Sequence, residues 1–182
     1  MLISAIAAVD LDYTLGKDGG MPWRLPSDMR FFRRMTLGKP VIMGRRTWAS
    51  LGGPLKDRAN IVITSTPDAV GEGAQTAPSL DAALALCAGA AEVMIIGGAA
   101  LYHEALERTD RLYLTVIHHR FGGDTHLATL NPDGWRLAEA TRAEVDDKNA
   151  WPHTFCTLDR APGAPALLGA AGGVAPWVFG GA

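Results

Sequence analysis

Cysteine is scarce in this sequence: Cys87 and Cys156 are the only two in 182 residues. They form no CxxC pair and stand near no cluster of histidines. That excludes the usual zinc modules and a secreted disulfide framework, and it favours a reducing cytoplasm. No sign of charge dominates either, with 17 basic residues against 19 acidic ones and a net charge of −2. Such a balance gives no overall pull toward nucleic acid or an anionic membrane. Long apolar runs are missing as well. The first run, Leu2–Val9, is too short to span a bilayer and lacks the basic start of a signal peptide. Residues 161–182 carry no charge, but six glycines and three prolines there would break a spanning helix. A GxSxG nucleophile elbow and a Walker P-loop are both absent. The five histidines are scattered, so no metal site is expected.

What remains is ordinary for one soluble domain: 48% hydrophobic and 20% charged residues in a chain of single-domain length. Short β-branched runs predict strands at Leu2–Val9, Pro40–Met43, Asn60–Thr64, Val93–Ile96 and Leu112–Ile117. Between them, amphipathic spacing predicts helices at Ser27–Met35 (with Pro26 as a good first residue), Arg45–Leu51, Leu80–Cys87 and Ala99–Leu106. This alternation implies a mostly parallel sheet covered on both faces. Trp135–Arg142 and His153–Asp159 have no helix between them and should pair as an antiparallel hairpin. The expected fold is a three-layer α/β/α domain with a mixed sheet. It covers residues 1–160, and 161–182 form an Ala/Gly/Pro-rich extension with Trp177, Val178 and Phe179 as a docking cluster.

Ligands in such sheets gather at the carboxyl ends of the strands. Four loops end there: Asp10–Pro26, Gly44–Arg46, Thr64–Pro67 and Gly97-Gly98. In PWRLPSDMRFFRRM, Asp28 shares a helix face with Phe31, Phe32 and Met35 at i, i+3, i+4 and i+7. A carboxylate buried unpaired on an apolar stripe costs free energy and has a raised pKa, although a first-turn acid also suits the helix dipole. MGRRTW closes a strand and opens a helix with Gly44, Arg45, Arg46 and Thr47, a donor set suited to phosphate. IIGGAALY places Gly97 and Gly98 between a buried strand and a helix, where backbone can approach a pyrophosphate; a tight turn explains the pair equally well. Asp124-Thr125-His126 after two glycines reads first as a turn.

These segments together closely resemble the bacterial dihydrofolate reductases, from Leu2 to about Arg160. The resemblance rests on ISAIAAVD, LGKDGGMPWRLPSD, KPVIMGRRTWASLGGPL, RANIVITS, VMIIGGAALY, LYLTVI and GDTH, in that order and spacing. It implies reduction of 7,8-dihydrofolate to 5,6,7,8-tetrahydrofolate with NADPH, in a cytoplasmic monomer that also binds antifolates. By the same resemblance Asp28 would be the catalytic acid that holds the pterin and promotes its protonation. Ile6, Ala7, Phe32, Leu51, Leu55, Ile96, Tyr102 and Thr115 would line the substrate pocket, and Arg58 would hold the carboxylate of the folate glutamate. For the cofactor the resemblance implies Ala8, Leu15, Gly16, Gly44, Arg45, Arg46, Thr47, Ser65, Thr66, Ile96, Gly97, Gly98, Ala99 and Tyr102, with Leu15–Trp23 as a mobile lid. Ala100, Gly53, Leu127-Ala128 and the apolar tail depart from the family's pattern. A related pteridine or pyrimidine reductase, or a binding protein without activity, would share much of this pattern; the intact PWRLPSD acid and lid speak against both.

Overall fold

A computed structural model describes residues 1–168. Ten strands and four α-helices follow in order: β1 Leu2–Val9, β2 Thr14–Gly16, α1 Pro26–Thr36, β3 Val41–Gly44, α2 Arg45–Leu51, β4 Asn60–Ile63, β5 Gln75–Ala77, α3 Leu80–Leu86, β6 Glu92–Ile95, α4 Ala99–Ala105, β7 Arg111–Ile117, β8 Thr125–His126, β9 Trp135–Ala143 and β10 His153–Arg160. Eight strands form one sheet in the order β5-β4-β3-β6-β1-β7-β10-β9. Pairing is parallel from β5 to β7 and turns antiparallel at β10 and β9. This is the expected mixed α/β sheet with its terminal hairpin.

The central strands are apolar on both sides because helices cover both faces. Val41, Ile42, Met43, Val93, Met94, Ile95, Leu112, Leu114 and Val116 are all essentially inaccessible. One apolar cluster gathers α3 and α4 against Ala5, Ile42, Ile61, Ile95 and Leu112. Another puts α1 and α2 against Ile6, Met43, Met94 and Tyr113 through Phe31 and Trp48. Burial of this kind contributes roughly 1.5–3 kcal/mol per large side chain.

Two differences from the sequence reading lie near the strand ends. Residues 124–126 were expected as a turn, but Thr125–His126 form β8, which pairs antiparallel with β2 in a separate small sheet. The 10–26 segment is likewise not without structure. Neither short strand has an alternating pattern, because what holds them is mutual pairing, not burial. β5 was also missed, being three residues long with one buried side chain.

Residues 161–168 run back against the body. The Ala166 carbonyl accepts from the Asn131 backbone N–H and the Trp135 indole, each at 2.9 Å. The Glu107 carboxylate receives the Ala166 and Leu167 N–H groups at 3.0 and 3.1 Å and Arg160 at 3.1 Å. Against the upward push of desolvation, these donors hold the Glu107 carboxyl below its usual range. Its stabilising contribution is therefore present above the unfolded pKa of about 4.3 and lost as the pH falls through the folded value. Glu107→Ala should cost about 1 kcal/mol at neutral pH, this site being largely solvated, and less in acid. Thermal melts of the two proteins at neutral and acidic pH measure the difference. Trp177, Val178 and Phe179 lie outside the described residues.

Candidate active site

α1 begins at Pro26, whose missing N–H and fixed φ suit the first helical position, and it has no side-chain cap. Asp28 sits in its first turn. Burial pushes the Asp28 carboxyl above the usual carboxylate range, while the Thr115 hydroxyl and His153 act in the opposite direction. Thr115 lies on β7 opposite Ala8 of β1. It is fully buried, with its hydroxyl beside the Asp28 carboxyl. An ionisable acid and a buried hydroxyl thus stand side by side, and the acid can accept the N–H donors of a ligand.

The walls come from several elements. Ile6 and Ile96 are buried in the same apolar cluster that Phe32, Leu51 and Leu55 cover as half-buried side chains. Ala7 and Tyr102 are buried behind them. The Tyr102 hydroxyl donates to the Ile6 carbonyl at 2.5 Å, and burial together with the Asp28 charge keeps the phenol protonated. At the outer end Arg58 donates to Thr36 Oγ1 at 2.9 Å and to the Lys56 carbonyl at 3.0 Å. Desolvation, and then Arg33, lower its proton affinity. No carboxylate pairs with it among the described residues.

A second group of residues converges beyond β3, β4 and β6. The Gly44 N–H donates to the Gly97 carbonyl at 2.8 Å, which brings the two strand ends together. Gly97 has φ +125° and its peptide to Gly98 is cis. A Cβ on Gly97 would lie 3.3 Å from Thr47 Oγ1, so the backbone there stays open only because the residue is glycine. Helices α2 and α4 start at this point with Gly44 and Gly98 as N-caps, and neither has a side-chain cap. Ala99 opens α4. Arg45 and Arg46 are exposed and make no ion pair among the described residues. Ser65 and Thr66 follow β4, which lies beside β3 with Ile63 opposite Gly44. Uncapped N–H groups, two unpaired guanidiniums and open glycines fit the phosphates of a dinucleotide.

Between the two groups lies the segment that the sequence marks as a lid. Lys17 and Gly20 exchange backbone hydrogen bonds at 2.8 and 3.0 Å around Asp18 and Gly19, both at positive φ. Asp124 accepts from the Asp18 N–H at 2.8 Å and donates its own N–H to the Gly16 carbonyl. Leu15 and Ala8 each pack, half-buried, at the edge of an apolar cluster. Trp23 is buried against Phe121, and its indole N–H has no partner.

Sequence reasoning missed three contributors. The fully buried Asp10 accepts from the N–H groups of Asp12, Thr14 and Phe121, tying the turn after β1 to the segment after β7. Asp124 was read only as a turn residue. Ser27, Asn149 and His153 form a buried polar group behind Asp28. An acid directly after an apolar strand was the available signal for Asp10; the others depend on long-range pairing that has no local pattern.

Comparison with known proteins agrees with this geometry. The family model described as dihydrofolate reductase matches residues 2–160. A dihydrofolate reductase type 3 of Salmonella typhimurium is 51% identical over 160 residues, covering 88% of this chain and 99% of that protein. The dihydrofolate reductase of Bacillus subtilis is 40% identical over 159 residues, covering 87% and 95%. A solved dihydrofolate reductase from Enterococcus faecalis, complexed with NADP(H) and RAB-propyl, superimposes with a TM-score of 0.81 at 35% identity. It covers 87% of this chain and 96% of that one.

Proposed function

This chain belongs to the dihydrofolate reductase family, and from that premise we propose that the Asp28 pocket and the glycine-lined cleft are its two working sites. The reaction is the NADPH-dependent reduction of 7,8-dihydrofolate to 5,6,7,8-tetrahydrofolate. NADPH, when bound, supplies the hydride; the residues of this chain bind, orient and manage one proton.

Asp28 accepts the N–H donors of the pterin's amino end and promotes protonation at N5. The observation that carries this role is the desolvated Asp28 carboxyl beside the buried Thr115 hydroxyl. Phe32, Leu51 and Leu55 press the flat ring and its neighbour between α1 and α2, which excludes water and raises the strength of each polar contact. Arg58 takes the glutamate carboxylate as a fork. Arg45, Arg46, Thr47, Ser65 and Thr66 hold the cofactor's phosphates and adenosine side, and Gly97, Gly98 and Ala99 admit the pyrophosphate. The 15–23 lid closes over the nicotinamide end. The enzyme works as a cytoplasmic monomer and accepts antifolates in the same pocket. Both cysteines are free and buried, in keeping with a reducing compartment.

The decisive assay follows NADPH absorbance with and without dihydrofolate. Dihydrofolate-dependent loss is expected, and its absence would overturn the reading. Arg45→Ala should raise the KM for NADPH about tenfold, since a charge-assisted phosphate contact is worth roughly 1.5 kcal/mol or more. The KM for NADH, which lacks the 2′-phosphate, should change much less. Equal effects on both cofactors would show that Arg45 does not read that group.

A further inference from the structure

Residues 161–168 lie beyond the part of the chain that the family match covers, and the steps described so far make no use of them. This short extension is nevertheless held from two sides. On one side the Glu107 carboxylate takes the Ala166 and Leu167 N–H groups. Glu107 belongs to the single 3-10 turn Leu106–Arg108 that continues α4, the helix that starts at the Gly97-Gly98 turn. On the other side the extension pairs with residues 129–135. The Leu168 N–H donates to the Thr129 carbonyl at 2.9 Å, Leu167 bridges Leu130, and Asn131 Nδ2 donates to the Pro165 carbonyl at 2.9 Å. Leu130 and Ala166 are fully buried where the two segments meet. Gly134 leaves room for this packing, since a Cβ on it would overlap the Pro165 carbonyl oxygen.

The segment held in this way runs directly into the lid. The Leu127 N–H donates to the Tyr13 carbonyl at 2.8 Å, β8 just before it pairs with β2, and Asp124 holds the Asp18 N–H at 2.8 Å. A continuous path therefore leads from the C-terminal end of α4, through Glu107 and the extension, to residues 129–131, and from there along 124–127 to the lid. Its two ends are the helix that opens at the pyrophosphate turn and the loop that closes over the nicotinamide. We infer that residues 161–168 brace the lid against α4, and that Glu107 is a positioning residue for NADPH. A lid whose base is pinned has less conformational freedom left to lose when it closes, so the bound cofactor is held more tightly.

The inference rests on the cofactor cleft assigned above, but half of its test needs no cofactor. Two full-length variants release the brace from opposite sides, and neither touches the lid or the cofactor residues. Glu107→Ala removes the acceptor of the Ala166 and Leu167 N–H groups. Gly134→Ala pushes on the Pro165 carbonyl, at a position whose backbone φ any residue can adopt. Hydrogen exchange in the ligand-free protein, read by NMR, should then quicken about threefold or more at the lid amides of Lys17, Asp18 and Gly20. A loss of overall stability alone would move the slow core amides of β1 and leave these locally opening ones unchanged. Unchanged lid exchange in either variant would overturn the inference, whether or not the protein binds NADPH.

The second measurement titrates two ligands. NADPH should bind about threefold or more weakly to both variants. Adenosine 2′,5′-bisphosphate carries the phosphates but no nicotinamide for the lid to cover, and it should bind as it does to the parent protein. Equal weakening of both ligands would place the effect in α4 and refute the brace, and so would unchanged NADPH affinity. Failure of the parent protein to bind NADPH would instead strike the cofactor assignment and with it the role of Glu107.

Discussion

Asp28→Asn is expected to slow dihydrofolate reduction by roughly 10²–10⁴ at neutral pH, the usual worth of general acid–base assistance. That is about 3–5 kcal/mol at 1.36 kcal/mol per decade. Asparagine keeps the size and some hydrogen bonding but cannot titrate. The rate should recover in part at low pH, where solvent protonates the pterin directly. NADPH affinity should change little, because the residues proposed to hold its phosphates lie beyond β3 and β6. Steady-state rates across the pH range and a cofactor titration measure all three. A near-normal neutral rate would remove the role assigned to this carboxylate.

The same substitution should raise the thermal midpoint of the ligand-free protein. Burial holds the Asp28 carboxyl above the ordinary carboxylate range in the folded state. The stability this group contributes is therefore complete below the unfolded pKa and is lost as the pH rises through the folded value. At neutral pH the ionised carboxylate works against folding, and asparagine removes that cost. Loss of rate with gain of stability is the signature of a group kept for chemistry.

Arg58→Lys should raise the KM for dihydrofolate about 10–100-fold. The Thr36 hydroxyl and the Lys56 carbonyl take up two of the guanidinium's N–H donors and leave three for a ligand. An ammonium cannot reproduce the planar fork that a carboxylate accepts, and the loss of such a pair is worth about 1.4–2.8 kcal/mol. A pterin substrate without the glutamate should be indifferent to the change. Equal losses for both substrates would make Arg58 structural.

Much of this was legible in the sequence because strand and helix periods are local. Leu2–Val9 and Arg45–Leu51 match β1 and α2 at both ends, and the alternation of elements led directly to a parallel sheet. The face shared by Asp28, Phe31 and Phe32 pointed to a desolvated acid from spacing alone, and burial does raise its carboxyl. β2 and β8 were not legible, since each exists only through the other, more than a hundred residues away. The Ser27, Asn149 and His153 group was missed for the same reason, and of Asp10 only its place after an apolar strand was visible. Their meaning lies in partners that sequence spacing does not reveal, such as Phe121 for Asp10.

The position of β1 has a consequence for how the chain matures on the ribosome. β1 is the first strand to be made, yet its neighbours in the sheet are β6 and β7. No backbone partner for Leu2–Val9 exists until residues 92–95 have emerged, and the other edge waits for residues 111–117. Until then the nascent chain carries an apolar, β-prone segment with both edges open. β3, β4 and β5 can pair among themselves earlier, but they cannot shield it. Both edges of β1 are thus covered only once roughly two-thirds of the protein has been synthesised, and the sheet itself is completed later still, with β9 and β10. Over that interval the leading strand depends on slow aggregation, or on a chaperone, to remain available for its late-arriving neighbours.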